Sequence, residues 1–184
     1  MDEIPHFWFF FTMSQTISTF GIPLEHKPNI LHLGALIHGR LTKTSYYLPS
    51  IWCLHKYEYT AKIKLNEELF KITTGCVSLI PPMTPIEYIF QGNSTPQQLI
   101  HFHFPGTPPK HHTSPYIFPS KSLPEGFATL FDQILDYHSL SKLQAEVRLW
   151  DLLFQLATPI PSKETKPKHP RLEAALKEID QHLA

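Results

Sequence analysis

Between Ile30 and Phe118 short β-branched and aromatic runs follow one another, each bounded by Gly, Pro, Asn or Ser, and no helical periodicity of useful length interrupts them. This pattern predicts strands near 30–38, 44–48, 51–60, 62–65, 68–72, 77–80, 85–90, 98–104 and 115–118. Short strands with turn signals between them are the signature of a sandwich or barrel, so the chain reads as mainly β. Asn66-Glu67-Glu68 reads as a hairpin turn between Ile63-Lys64-Leu65 and Leu69-Phe70-Lys71-Ile72, and Gly92-Asn93-Ser94 as a second turn. Proline makes up 18 of 184 residues. It is spread in singles and pairs, which makes it punctuation between strands and not one disordered tract. Gly75 ends one strand where a positive φ is cheap only for glycine. Val77-Ser78-Leu79-Ile80 follows as a strand, and Pro81-Pro82 stops it by removing two donors.

The pattern changes after Leu123. Leu123-Pro124-Glu125-Gly126 opens a helical stretch with Ser122 as its expected cap. Phe127, Leu130, Phe131, Ile134, Leu135 and Tyr137 then form one apolar stripe. His138-Ser139-Leu140-Ser141 breaks that helix, and a second one follows with Leu143, Val147, Trp150, Leu153, Phe154 and Leu156 on one side. Two amphipathic helices on a short connection predict an antiparallel pair. Its apolar surface exceeds one stripe, which predicts an isologous homodimer through Leu143, Val147, Trp150 and Phe154. The other reading packs all of them within one chain. The expected organisation is a β domain over 1–120, the helix pair over 121–158, a Pro/Lys-rich linker over 159–170 and a further helix over 171–184. A lone amphipathic helix after a linker does not fold alone in water, so 171–184 is expected to belong to a further domain. Residues 1–30 are irregular and carry the run His6-Phe7-Trp8-Phe9-Phe10-Phe11. They read either as a strand or arm packed on the core or as a mobile arm closing over a ligand.

Charge and motifs narrow the function classes. Sixteen basic and 16 acidic residues give a formal net charge of +0, so no strong field points to nucleic acid. The longest apolar run, Phe7 to Phe11, is too short to span a bilayer, and Asp2 and Glu3 stand where a secretory signal carries basic residues. Two cysteines, Cys53 and Cys76, exclude a disulfide scaffold and a four-cysteine zinc site, and a cytoplasmic location is expected. No nucleophile elbow, phosphate loop or dinucleotide fingerprint is present.

The order of β region, helix pair, linker and further helix resembles the arabinose-regulator (AraC) family of bacterial transcription factors. Trp52-Cys53-Leu54-His55 resembles that family's W-x-L-H stretch. The segment from Gly75 to Pro85 is similar to its G-D-L-x-L-I-P-P-G-T-P-H segment, with Met83 where the glycine stands. Ile100-His101-Phe102-His103-Phe104 resembles its closing Y-W-I-H-F strand, and His169 to Ile179 resembles the first helix of its DNA-binding domain. The resemblance implies a cupin-like double-stranded β-helix barrel that senses a small molecule, often a sugar. It further implies an antiparallel helix pair for dimerisation, and DNA binding only through a C-terminal helix-turn-helix domain. Enzymatic cupins carry a metal-binding histidine where this chain has Ile86, and an H-x-H pair where it offers only His55 and Tyr57. The resemblance therefore favours a non-enzymatic sensor with no cofactor over the alternative, a small cupin metalloenzyme (isomerase or dioxygenase).

The expected ligand-binding residues are His55, Tyr57, Ile86, Tyr88, His101, His103 and Trp8. Tyrosine and tryptophan supply the apolar body and polar tip that small-molecule pockets use. Alternation puts His101 and His103 on one strand face. They read as structural, as pocket-lining, or as an H-x-H pair sharing a metal with His55 or Glu87 as the third ligand. Tyr46-Tyr47, next to Pro49, read as edge aromatics or as the rim of the barrel mouth.

Overall fold

The computed structural model describes residues 18–37, 41–91, 96–106 and 110–159. It is mainly β with two helices, and the strands form three antiparallel sheets. The first in chain order is β1 (Thr19–Ile22). Next come β2 (Asn29–Ile37), β3 (Lys43–Tyr47), β4 (Trp52–Tyr57) and β5 (Ala61–Leu65). They are followed by β6 (Glu68–Ile72), β7 (Val77–Ile80), β8 (Pro85–Phe90) and β9 (Pro96–His103). β10 (His112–Pro115) and β11 (Ile117–Phe118) precede helices α1 (Phe127–Leu140) and α2 (Lys142–Leu156), and β12 is Thr158–Pro159.

The central sheet has the order β11-β7-β4-β9-β2, the second β3-β8-β5-β6, and the third β1-β10-β12. The central sheet is covered on both faces. Trp52, Leu54, Val77, Leu79, Ile100 and Phe102 turn one way and share a core with α1 and α2 residues such as Phe131, Ile134, Leu149 and Leu153. Cys53, Tyr57 and Ile80 turn the other way and pack on Ile63, Ile86 and Tyr88 of the second sheet. A strand buried on both faces reads as a continuous run, and in β4 every residue except Lys56 is buried.

Sequence and structure differ at several boundaries. The expected strand at 115–118 divides at Tyr116 into β10 and β11, which join different sheets. Thr19–Ile22, inside the segment read as irregular, is a strand because it pairs with β10. Pro159, the first residue of the expected linker, pairs with β10 as part of Thr158–Pro159, and the rest of that linker lies outside the described residues. α1 starts at Phe127 behind Gly126 in the left-handed region (φ 77), not behind Ser122, which lies in a 3-10 turn. The expected four-residue break shrinks to Ser141 alone, whose hydroxyl accepts the Gln144 N–H and caps α2. The helix at 171–184 and the aromatic run at 6–11 lie outside the described residues. Among the described residues no helix is long and apolar enough to cross a membrane.

Two side chains of α2, Glu146 and Trp150, fasten the helix pair through polar contacts. The register of β2 on β9 shifts between Ile30 and His32, a bulge that leaves Leu31 without a cross-strand partner next to Ile30. Buried Glu146 of α2 accepts the Ile30 N–H at 3.1 Å and forms an ion pair with Lys27. The indole N–H of Trp150 donates to the Leu24 carbonyl at 2.8 Å.

Candidate functional site

The site lies between the central sheet and the second sheet. In β4 the period of two sends Cys53, His55 and Tyr57 to the same side as Cys76, Ser78 and Ile80. From β9 the same side receives Gln97, Leu99 and His101, and from β8 it receives Ile86, Tyr88 and Phe90. A cavity of about 120 Å3 opens there. His55, His101, Tyr88 and Gln97 supply its polar groups, and Leu36, Tyr46, Leu48, Ile86 and Leu99 the apolar wall. The usual span for drug-sized sites is roughly 300–1,000 Å3, so this cavity suits a small occupant.

A row of hydrogen bonds runs from the buried interior to the cavity. The Ser78 and Tyr57 hydroxyls are 2.7 Å apart, and the Tyr57 and Tyr88 hydroxyls 3.0 Å. The Tyr88 hydroxyl lies 2.9 Å from His55 Nδ1, and His55 Nε2 lies 3.1 Å from His101 Nε2. Every member of the row is uncharged when the histidines are neutral. Burial raises the Tyr57 and Tyr88 hydroxyls above the usual phenol range, so both stay protonated. Burial, then the nearby His32, lowers the pKa of His101, which favours neutral imidazole. Burial pushes the Cys53 thiol up to about 12. Tyr59, whose hydroxyl burial also raises, donates to the Gln97 side-chain carbonyl at 2.9 Å and fixes that amide against the cavity.

Of the expected ligand-binding residues, His55, Ile86, Tyr88 and His101 line one cavity. Tyr57 stands behind it, fully buried, bonded to the Tyr88 hydroxyl and edge-on to the His55 ring. His103 shares the His101 face of β9, but it pairs with Asn29 and is not in the cavity wall. Trp8 lies outside the described residues. Tyr46 does reach the cavity, whereas Tyr47 is exposed. The alternative metal reading, an H-x-H pair of His101 and His103 with His55 or Glu87 as third ligand, finds no such cluster among the described residues. Instead Cys53, which pairs directly with His101, comes together with His55 and His101, their ligand atoms all within 4.8 Å of one another. Alternation from His55 would have put Cys53 on this face. The pairing of β4 with β9 that brings in His101 is not written in either strand.

On the helix pair, Leu143, Val147 and Phe154 are 62%, 48% and 42% exposed. Leu143 and Val147 line a groove of about 430 Å3 together with Tyr137, Gln144 and Arg148. Trp150 differs from the other three expected dimer residues: it is half-buried and bonded to Leu24 of its own chain.

No protein-family profile and no curated protein matches the chain. Among solved structures, the plu4264 protein from Photorhabdus luminescens is similar at 19% identity and a TM-score of 0.35, covering 39% of this chain and 60% of that one. Vicilin from hazelnut, Corylus avellana, is similar at 14% identity and a TM-score of 0.27, covering 88% of this chain. The chain thus spans about three fifths of each of those proteins, 60% and 61%.

Proposed function

We propose that the chain is the ligand-sensing and dimerisation portion of an AraC-like transcriptional regulator. Its paired sheets correspond to the cupin-like barrel of that family, and a small polar metabolite, with sugars the class the resemblance implies, occupies the cavity between them. The observation that carries this reading is the cavity itself, apolar over most of its wall with His55, His101 and Gln97 converging on it. Ile86 in that wall weighs against the small cupin metalloenzyme, because its side chain cannot ligate the metal that such an enzyme places there.

The path from ligand to dimer runs along β2. Leu36 near one end of this strand lines the cavity, and Ile30 near the other is held by Glu146 of the helix pair. A ligand pressing on Leu36 shifts an edge strand that also anchors α2. The helix pair then presents Leu143, Val147 and Phe154 to a second copy in a different pose, a population shift between two dimer arrangements. DNA contact belongs to the region after the helix pair.

Native mass measurement of the purified protein tests the reading. The expected species is a dimer carrying one small organic molecule per chain, and Val147→Glu is expected to give a folded monomer. A monomer without organic adduct, whose thermal midpoint no member of a sugar and metabolite panel raises, overturns the proposal.

A further inference from the structure

We propose that Cys53, His55 and His101 form a binding site for a thiophilic divalent transition-metal ion of the zinc class. The inference does not depend on the regulator reading.

Strand pairing builds the set. Cys53 and His101 are direct cross-strand partners in the β4–β9 ladder, and His55 lies two residues along β4 on the same face. Sγ and one nitrogen of each ring lie within 4.8 Å of one another. The two Nε2 atoms are 3.1 Å apart. A tetrahedral ion with Zn–N bonds of ~2.0–2.1 Å sets its nitrogens roughly 3.3 Å apart, so the imidazoles already stand at the spacing of a shared ion. The sulfur closes on them by side-chain rotation. The donors are one thiol and two imidazoles with no carboxylate, a set that suits zinc, cobalt or copper and not magnesium or calcium.

The outer contacts support the same assignment. A metal-ligating histidine usually gives its other ring N–H to a fixed acceptor, which sets tautomer and orientation. His55 has this arrangement: Nδ1 faces the Tyr88 hydroxyl at 2.9 Å, and Tyr88 is held in turn by Tyr57. With Nδ1–H donating to Tyr88, the lone pair of His55 sits on Nε2 and points at His101. In that arrangement of the metal-free protein a proton carried by His101 Nε2 fills the space between the rings, and the ion replaces it. On binding, one sulfur–metal and two nitrogen–metal bonds form. The thiol proton of Cys53 leaves to solvent, and the His101 proton moves from Nε2 to Nδ1, so one proton is released per ion. His55 and His101 also line the cavity, which gives the ion a route in.

The site is not that of the enzymatic cupins. Of the positions where those enzymes carry ligands, Ile86 and Tyr57 take no part here; only His55 is shared, and Cys53 and His101 complete a different set.

Cobalt titration of the chelator-treated full chain tests the proposal. The expected result is one Co2+ per chain, a thiolate-to-cobalt charge-transfer band in the near ultraviolet and the intense visible bands of a tetrahedral ion. Cys53→Ser is expected to abolish the charge-transfer band, and Tyr88→Phe to weaken binding by ~10–100-fold through the lost outer contact. His111→Ala, in a surface loop, serves as the control for adventitious histidine binding and leaves the spectrum unchanged. If Cys53→Ser does not fold, His101→Ala carries the test and must lower the cobalt affinity at least tenfold. Absence of the charge-transfer band from the unmodified chain, or its survival in Cys53→Ser, overturns the proposal. Neither result bears on the organic adduct or dimer of the regulator reading.

Discussion

The two faces of β4 teach different lessons. Trp52 and Leu54 point toward the helix pair and meet leucine, isoleucine, valine and phenylalanine almost exclusively. Cys53, His55 and Tyr57, one residue out of phase, point toward the second sheet and meet tyrosine, serine and histidine as well as aliphatic groups. Both sides are buried, but stability comes by different routes. The helix side relies on apolar area removed from water, about 1.5–3 kcal/mol for each large side chain. The sheet side must also satisfy each hydroxyl and ring nitrogen it buries, because an unpaired one costs about 1–3 kcal/mol. That constraint places polar groups with some precision around a cavity, and a core of leucines could not do so. Scaffold and site are thus back to back on one strand.

The contrast can be broken most directly at Leu54. Leu54→Ala removes a fully buried side chain from the helix-facing core and is expected to cost about 2–5 kcal/mol, read from the urea midpoint. A loss below about 1 kcal/mol would show that the helices can collapse onto the sheet and that this side is not tightly packed. Tyr57→Phe probes the opposite face with almost no change of volume. It leaves Ser78 and Tyr88 each without one partner, for an expected cost of about 1–3 kcal/mol by equilibrium unfolding. If Tyr57→Phe were neutral, the polar row would be dispensable to folding and the two faces would differ in composition only. Trp150→Phe removes one polar seal from the helix side, the bond to Leu24, and should lower stability by about 0.5–1.5 kcal/mol. The smallest effect belongs outside both cores. Met83 sits exposed in the left-handed region at φ 62, and Met83→Gly is expected to raise stability by about 0.5–1 kcal/mol, a gain of a few degrees in the thermal midpoint.

Met83 also shows how much could be read before the structure. The glycine that the resemblance places there marks a turn, and the turn persists although the glycine does not. Strands β4 to β9 were legible because alternation and turn residues are local signals. β1 and β12 were not: each is short and becomes a strand only by pairing with β10, which lies far away in sequence. Gly126 carries no sequence signal for the start of α1, because it contributes a left-handed backbone and not a capping side chain. His55, Ile86, Tyr88 and His101 were found through strand phase and the resemblance, and the phase of β4 proved to be the one that turns His55 and Tyr57 toward the second sheet. Cys53 escaped because a buried cysteine resembles any small apolar residue until its cross-strand partner is known. Helical spacing places Trp150 in the outer stripe, because spacing alone cannot reveal a bond to Leu24 across 126 residues.

The row from Ser78 through Tyr57, Tyr88 and His55 to His101 has a property that no single member has. Hydroxyls and neutral imidazoles each both give and receive a hydrogen bond. Two complete proton arrangements therefore satisfy the row, one with every donor aimed toward Ser78 and one with every donor aimed toward His101. Changing from one to the other creates no charge. In the first, His101 keeps a lone pair at its other nitrogen; in the second, it carries an N–H there. The cavity wall is ambidextrous as a result. The same residues can offer a lone pair or an N–H at the His101 end of the row, and the row as a whole stays neutral either way.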